Sequence, residues 1–171
     1  MKPSDVTAAE YGAWYKNYIE ISPDKEITTS LLETFGKTVS FFKSIPEDKL
    51  AYRYEAGKWT PKEILQHLMD TDRIFAYRAL RIARNDSTPI PGFEQDDYVV
   101  PSKANERSMD DLLDEYKSVR LSSIGLFKSF DEEMWQRVGT ASNNPFSARA
   151  AAAIIPGHEL HHMSVIKDKY L

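Results

Sequence analysis

The spacing of apolar residues constrains the fold of this chain more than any other feature. Along four long stretches, apolar side chains recur at steps of three and four residues, which places them on one face of an α-helix. No stretch shows the sustained apolar–polar alternation that a large β-sheet requires. The sequence therefore predicts an all-α fold, and four helices of adequate length suggest a four-helix bundle.

The second predicted helix has the clearest start. Thr60 is a suitable N-cap, Pro61 suits the first helical position, and Glu63 completes a capping box with Thr60. Helical spacing then continues to Arg84, and Asn85-Asp86 ends it. The first helix follows residues 22–24 and ends near residue 44, before a proline.

The third and fourth predicted helices have starts of the same kind. Ser108 caps the third, which extends to Phe127, and the last begins around Ser147 and continues to the C-terminus. Proline lacks the backbone donor, so Pro156 is expected to kink this helix or force a restart. The segment from residue 11 to 19 suggests an additional short helix.

The connection between the second and third helices, from about Asn85 to Arg107, is over twenty residues long and rich in proline. Antiparallel neighbours in a bundle need only a few linking residues. We therefore predict a long crossover, with these two helices running in the same direction. Long loops are often functional. We expect the acidic run 94–97 to be exposed to solvent, and the flanking residues Phe93 and Tyr98 could pack this loop over the mouth of the bundle.

Length and composition limit the functional classes. A chain of 171 residues predicts a single domain over 1–171. The net charge of -4 argues against a nucleic-acid partner, and the absence of cysteine excludes disulfides and a cysteine nucleophile. Residues 1–20 contain no apolar signal segment, and no run reaches the roughly 18 apolar residues of a membrane span. We expect a soluble, cytoplasmic protein with no membrane partner.

Three of the four histidines are expected to meet in the core. His158 and His162 are four residues apart, which places them on one apolar face of the last helix. His67 occupies an inward position of the second helix, between Ile64 and Leu68. Two helices therefore direct imidazoles toward the same interior.

Three converging imidazoles are difficult to explain as core packing alone, although one inward histidine is more often a hydrogen-bonded core residue. Each would need its own polar partner, because an unpaired buried polar group costs about 1–3 kcal/mol. One divalent cation would satisfy all three and leave a coordination position for water, as in catalytic sites. His161 points about 100° away from His162 around the helix, so we expect it at the surface or behind the ligands.

The residues His158-Glu159-Leu160-His161-His162 also match H-E-x-x-H, the zinc-protease signature in which glutamate is the general base. Such proteases take a third ligand downstream, but the nine residues after His162 offer no suitable one. The third ligand must then come from upstream, where His67 is the only histidine. Peptidase chemistry is therefore the less favoured hypothesis, although Glu159 could still bond a ligand or solvent.

Other polar residues on the second helix lie on the same face as His67. Asp70 could orient a ligand histidine, and Arg78 or Arg81 could bind an anionic group of a substrate. A salt-bridge network along the helix edge explains them equally well.

Two segments resemble the DinB/YfiT-like metalloenzyme family of the DinB superfamily: residues 57–70, GKWTPKEILQHLMD, and residues 157–162, GHELHH. The resemblance implies a four-helix bundle of up-down-down-up topology. It also implies a triad of His67, His158 and His162 on a divalent metal, often nickel or zinc. Related proteins include thiol-dependent transferases and isomerases that use glutathione, mycothiol or bacillithiol.

These observations predict a metal-dependent hydrolase or thiol S-transferase that acts on a small molecule. The sequence leaves a homodimer open, and it assigns no catalytic side chain. The cation would lower the pKa of a bound water or of a thiol cosubstrate. Imidazole ligands accept several metals; zinc or nickel is favoured, and iron or manganese stays open. The alternative is a non-catalytic bundle stabilised by its metal, which would have closed coordination and no pocket above the ion.

Overall fold

The computed structural model describes residues 1–171 and is predominantly helical. None of its helices combines the length and the apolar character that a membrane crossing requires. The helices and strands are α1 Lys16–Ile21, α2 Ile27–Ser44, α3 Pro61–Ala83, α4 Gln95–Ser102, α5 Met109–Lys128, α6 Glu132–Gln136, β1 Val138–Ala141, β2 Asn144–Ser147 and α7 Ala148–Lys169.

The four long helices α2, α3, α5 and α7 form a four-helix bundle, which confirms the predicted fold class. Both α2 and α3 pack against α5 and α7, so α2 and α3 occupy diagonal corners. Each long helix contributes fully buried side chains to the interior: Leu31, Leu65, Leu112 and Ile154. The up-down-down-up order of helix directions stays a prediction.

The predicted helix starts are confirmed. At the beginning of α3, the Thr60 hydroxyl accepts from the Glu63 N–H at 3.2 Å, and the Glu63 carboxylate accepts from the Thr60 N–H at 2.7 Å. Ser108 and Ser147 cap α5 and α7 with their side-chain oxygens. These caps fix where α3 and α7, the two helices that carry the histidines, enter the bundle.

Of the two outcomes predicted at Pro156, a kink or a restart, the restart is wrong, because α7 continues through this buried residue from Ala148 to Lys169. Proline removes only one helical hydrogen bond, the one to the carbonyl of Ala152. The helix is buried on both sides of that position, at Ile154 and Ile155 before it and at His158 and Glu159 after it. Because the helix is continuous, residues before and after Pro156 keep a common face.

The crossover between α3 and α5 contains a helix that the sequence did not predict. The acidic run 94–97 is exposed, as expected, but most of it lies in the first turn of α4, where Asp96 and Asp97 suit the positive end of the helix. Pro101, inside α4, had indicated a loop. The rings of Phe93 and Tyr98 contact each other at 5.3 Å between centroids, and α4 packs on α3.

A short antiparallel hairpin, β1–β2, precedes α7 and was also not predicted. Its two-residue turn, Ser142-Asn143, has positive φ at both positions (50° and 61°), as a type I′ turn requires. Ile90 attaches the crossover to this hairpin, because its N–H donates to the Thr140 carbonyl at 2.9 Å and its carbonyl accepts from the Ser142 N–H at 3.0 Å. The turn is thereby held beside α3.

Candidate metal centre

The three histidines singled out in the sequence converge at one point between α3 and α7. The Nε2 atom of His158 lies 3.0 Å from Nε2 of His67 and 3.0 Å from Nε2 of His162. One ring nitrogen from each of the three lies within 4.8 Å of the others. The expected convergence of distant stretches of chain is therefore observed.

Aromatic rings surround this cluster. The Trp59 ring lies 4.7 Å from that of His67 and stacks at 6.3 Å on that of His162, between centroids. The Tyr18 ring meets that of His158 edge-on at 5.2 Å between centroids. These contacts limit the rotation of the imidazoles and keep water from most of their surface.

The environment keeps all three imidazoles neutral at pH 7. Burial lowers the pKa of His67 to about 4 and that of His162 to about 3. For His158, burial and the neighbouring histidines lower the pKa well below its usual value. Neutral imidazole is the form that donates a lone pair to a metal ion.

The donor set fits a divalent ion. A ring nitrogen offers either one lone pair or one N–H, yet His158 Nε2 faces two partners at 3.0 Å. A shared cation accepts a lone pair from all three rings. Bonds of about 2.0–2.1 Å at tetrahedral angles place ligand nitrogens about 3.3 Å apart, close to the two separations of 3.0 Å from His158.

Glu159, the glutamate of H-E-x-x-H, is held in a buried ion pair. Its Oε1 accepts from Arg120 Nη2 at 2.5 Å and from the Tyr116 hydroxyl, and its Oε2 accepts from Arg120 Nη1 at 3.1 Å. Arg120 also donates to Asp72 at 2.8 Å. Burial raises the pKa of Glu159, opposed by the Arg120 charge. A carboxylate held in this way is poorly placed to act as a general base, which disfavours the peptidase hypothesis.

Asp70 does not hydrogen-bond a histidine in this structure. Its carboxylate accepts instead from Gln66 at 3.0 Å and from Arg73 at 3.5 Å, so the orienting role considered for it is not observed. Arg81 pairs with Asp86 at 2.6 Å, as the salt-bridge alternative predicted.

His161 lies outside the cluster. Its ring is 5.3 Å from that of His162 between centroids, and its side chain is partly exposed. This agrees with the expectation that it lies at the surface or behind the ligands.

Two cavities reach the histidine cluster. One of about 450 Å³ is lined by His67 and His158, and one of about 330 Å³ is lined by His162. Gln95 and Asp96, in the first turn of α4, line both cavities. Open access of this kind counts against a closed, purely structural metal site.

Several residues of the larger cavity were missed by the sequence analysis. Tyr15 comes from the N-terminal segment and Ser142 from the unpredicted hairpin. The segment Ser142-Asn143-Asn144-Pro145 is rich in turn-forming residues and could have indicated a hairpin. No sequence signal would have placed either residue beside His67.

Fold and site define a helical-bundle protein with a three-histidine group suited to a divalent metal. Residues 30–166 match the profile of the DinB superfamily, and the chain belongs to that superfamily. The resemblance noted in the sequence is thereby confirmed.

One relative and two solved structures are similar to the chain over most of its length. A protein of Oceanobacillus iheyensis, named "Putative metal-dependent hydrolase", is 27% identical over 169 residues, covering 96% of this chain and 88% of the relative. YfiT from Bacillus subtilis, described as "a probable metal-dependent hydrolase with an unusual four-helix bundle topology", has a TM-score of 0.74 at 13% identity, over 95% of this chain and 89% of YfiT. A DinB-like protein of Bacillus subtilis, YjoA, has a TM-score of 0.59 at 17% identity, over 84% and 88%. The two structural similarities support the fold.

Proposed function

We propose that this protein is a metal-dependent hydrolase of small molecules in which His67, His158 and His162 hold one divalent cation. The observation that carries the proposal is the convergence of three histidine ring nitrogens at a point that two open cavities reach, one lined by His67 and His158 and one by His162. The description of the Oceanobacillus relative as a metal-dependent hydrolase supports the same class of reaction.

The roles of the protein groups follow from their positions. His67 approaches from α3 and the other two histidines from α7, so the ligand set ties the two helices together. Trp59 and Tyr18 fix the imidazole planes and exclude water from them. When bound, a divalent ion supplies Lewis-acid chemistry and makes a water or thiol nucleophilic near neutral pH. The larger cavity would place the substrate beside His67 and His158.

Thiol S-transfer is the second candidate reaction, and the second cavity is the observation that favours it. Two reactants could approach the cluster separately, one past His158 and one past His162. A hydrolase needs only the first approach, because water is small. Adding a low-molecular-weight thiol to the assay and identifying whether the leaving group has been replaced by the oxygen of water or by the sulfur of the thiol separates the two reactions.

The identity of the metal belongs to the proposal as well. Zinc or nickel fits three imidazoles best, and iron or manganese is the next choice. A small-molecule substrate, a homodimer, a cytoplasmic location and a single domain over 1–171 stay predictions from the sequence.

Elemental analysis tests the proposed centre. Protein purified without nickel affinity should retain about one divalent ion per chain, as three imidazole ligands predict. His158→Ala and His67→Ala should each lose it, whereas the matched variant His161→Ala should keep it. Circular dichroism confirms that the variants are folded. Unchanged metal content in the first two variants would refute the proposal.

A further inference from the structure

Arg78 is a buried cation without a carboxylate partner. Its residue surface is only 1% exposed, and no Asp or Glu lies within ion-pair distance. Arg120, the other fully buried arginine, pairs with both Asp72 and Glu159. Removing an unpaired guanidinium from water is costly. The contrast between the two arginines indicates that the charge of Arg78 has a use outside the packing of the core.

The groups around Arg78 are neutral. Its Nη2 donates to the Ser142 hydroxyl at 3.0 Å and to the Pro91 carbonyl at 3.3 Å, and its Nη1 lies 3.5 Å from the Tyr15 hydroxyl. Its Nε has no partner. Three aromatic rings lie 5.5–5.8 Å from the guanidinium, those of Phe75, Phe93 and Phe146. None of these groups neutralises the charge.

Two hydroxyl groups, those of Ser142 and Tyr15, connect this charge to the larger cavity. Ser142, Tyr15 and Thr71 all line it, together with His67 and His158. The Ser142 and Tyr15 oxygens accept from Arg78, which leaves their own protons free to donate elsewhere. The Thr71 hydroxyl is buried and has no partner. A hydroxyl that accepts from a cation is polarised and becomes a stronger donor.

The backbone holds these groups in position. Ser142 occupies the first central position of the type I′ turn, with φ of 50°, a conformation that few non-glycine residues adopt. Thr71 follows His67 by four residues on α3, so both point to the same side of the helix. The hydroxyls and the histidine cluster therefore belong to one cavity.

We propose that Tyr15 and Ser142, with Arg78 behind them, bind a carboxylate of the small-molecule substrate together with Thr71. The inference rests on the proposed function, since it describes the substrate of that same centre. Arg78 follows His67 by eleven residues, about 16 Å along the helix axis, and its side chain leans back toward His67. The carboxylate thus lies between Thr71, one turn from His67, and Arg78, on the side of the cavity away from the reacting bond.

The rest of the cavity limits the substrate further. Trp14, Tyr18 and Phe93 supply apolar walls, which suit an aliphatic or aromatic body between the two ends. Glu94 and Asp96 lie at its exposed side, and two carboxylates there oppose a group of high negative charge. A monocarboxylate is accordingly favoured over a phosphate.

Binding of two matched probes tests the proposal on the protein as purified. We expect 3-phenylpropionate to bind at least about tenfold more tightly than 3-phenylpropionamide, its neutral analogue, because a charge-assisted hydrogen bond is worth about that much. Calorimetric titration measures both affinities. Inorganic phosphate should bind more weakly than the carboxylate.

Variants locate the subsite. Ser142→Ala, Tyr15→Phe and Arg78→Met should each reduce the preference for the carboxylate while the affinity for the amide stays unchanged. Arg81→Gln is the matched control, because Arg81 lies one turn away on α3 and pairs with Asp86. If Arg78→Met does not fold, Ser142→Ala still decides the matter, because that side chain is partly exposed in the turn.

Two results would overturn the proposal: equal affinities for the two probes, or a carboxylate preference that survives in both Ser142→Ala and Tyr15→Phe. The variant His158→Ala distinguishes a failure of this proposal from a failure of the proposed function. The preference should persist in that variant even though the metal is lost, because the hydroxyls do not depend on the ion. A preference that disappears in His158→Ala and persists in Ser142→Ala would place the carboxylate on the metal and also overturn the inference.

Discussion

The carbonyl oxygen of Tyr18 lies so close to Gly157 that a Cβ atom on Gly157 would stand 1.8 Å from it. This approach brings α1 onto α7 one residue before His158, whose ring Tyr18 contacts at 5.2 Å. No side chain larger than hydrogen fits between the two backbones. Gly157 therefore determines how closely the N-terminal helix approaches the candidate metal centre.

Gly157→Ala should displace α1 and reduce the free energy of unfolding by about 1–3 kcal/mol, the usual cost of overpacking. The matched control is Gly125→Ala on α5, where an added Cβ meets nothing within 4 Å; it should be neutral or stabilise by up to about 1 kcal/mol. Urea unfolding measures both. Equal effects of the two substitutions would contradict the close approach as its cause.

The buried ion pairs of Arg120 join α3, α5 and α7 behind the histidines. Arg120→Met leaves Asp72 and Glu159 buried without a counter-charge, so the free energy of unfolding should fall by about 3–5 kcal/mol. Arg73→Met is the comparison, since Arg73 also contacts two carboxylates but is half-exposed; its loss should cost less than about 1 kcal/mol. Similar losses in denaturant titrations of the two variants would show that the buried network is weak.

Metal binding should stabilise the folded chain, because three ligands from two helices meet only in the native state. Adding zinc or nickel to chelated protein at about 1,000 times its Kd should raise the free energy of unfolding by about 4 kcal/mol. Magnesium, which prefers oxygen ligands, should have no effect. Thermal melts of His158→Ala should show no increase with any of these ions; an equal increase there would place the ion elsewhere.

Sequence patterns predicted the long helices and the histidine cluster because both depend on local periodicity. Caps such as Thr60 and Ser108 act within one turn, and the four-residue spacing of His158 and His162 fixes their common face. The inward position of His67 follows from its apolar neighbours. These are short-range signals, and the structure agrees with them.

The remaining features depend on contacts between distant residues. The α4 helix has eight residues and each hairpin strand has four, which is too short for periodicity to show. Pairing of Arg120 with Asp72 and Glu159, over 48 and 39 residues, depends on the relative positions of three helices. The environment of Arg78 could not be predicted for the same reason, because residues of the N-terminal segment, the crossover and the hairpin form it.

The N-terminal segment is attached to α7 by a bidentate ion pair between Glu10 and Arg149, with distances of 2.6 and 2.7 Å. Burial raises the pKa of Glu10, but hydrogen bonds from Arg149 and from the Thr7 N–H outweigh it and lower the pKa from 4.5 to about 2. A carboxyl with a lowered pKa stabilises the fold at pH values above its unfolded pKa of 4.5, and this stability is lost as the pH falls toward 2.

Glu10→Gln should therefore reduce the free energy of unfolding at pH 7 by about 1–3 kcal/mol. The difference from the unmodified protein should shrink below pH 4.5, the pKa of the unfolded carboxyl, because protonation of Glu10 then removes the same charge in both proteins. Glu20→Gln is the matched control, since Glu20 is exposed and its pair with Lys16 spans 3.6 Å; it should have little effect at any pH. Urea titrations between pH 3 and pH 7 decide the outcome, and a stability difference for Glu10→Gln that stays constant over this range would show that the Arg149 pair is not its origin.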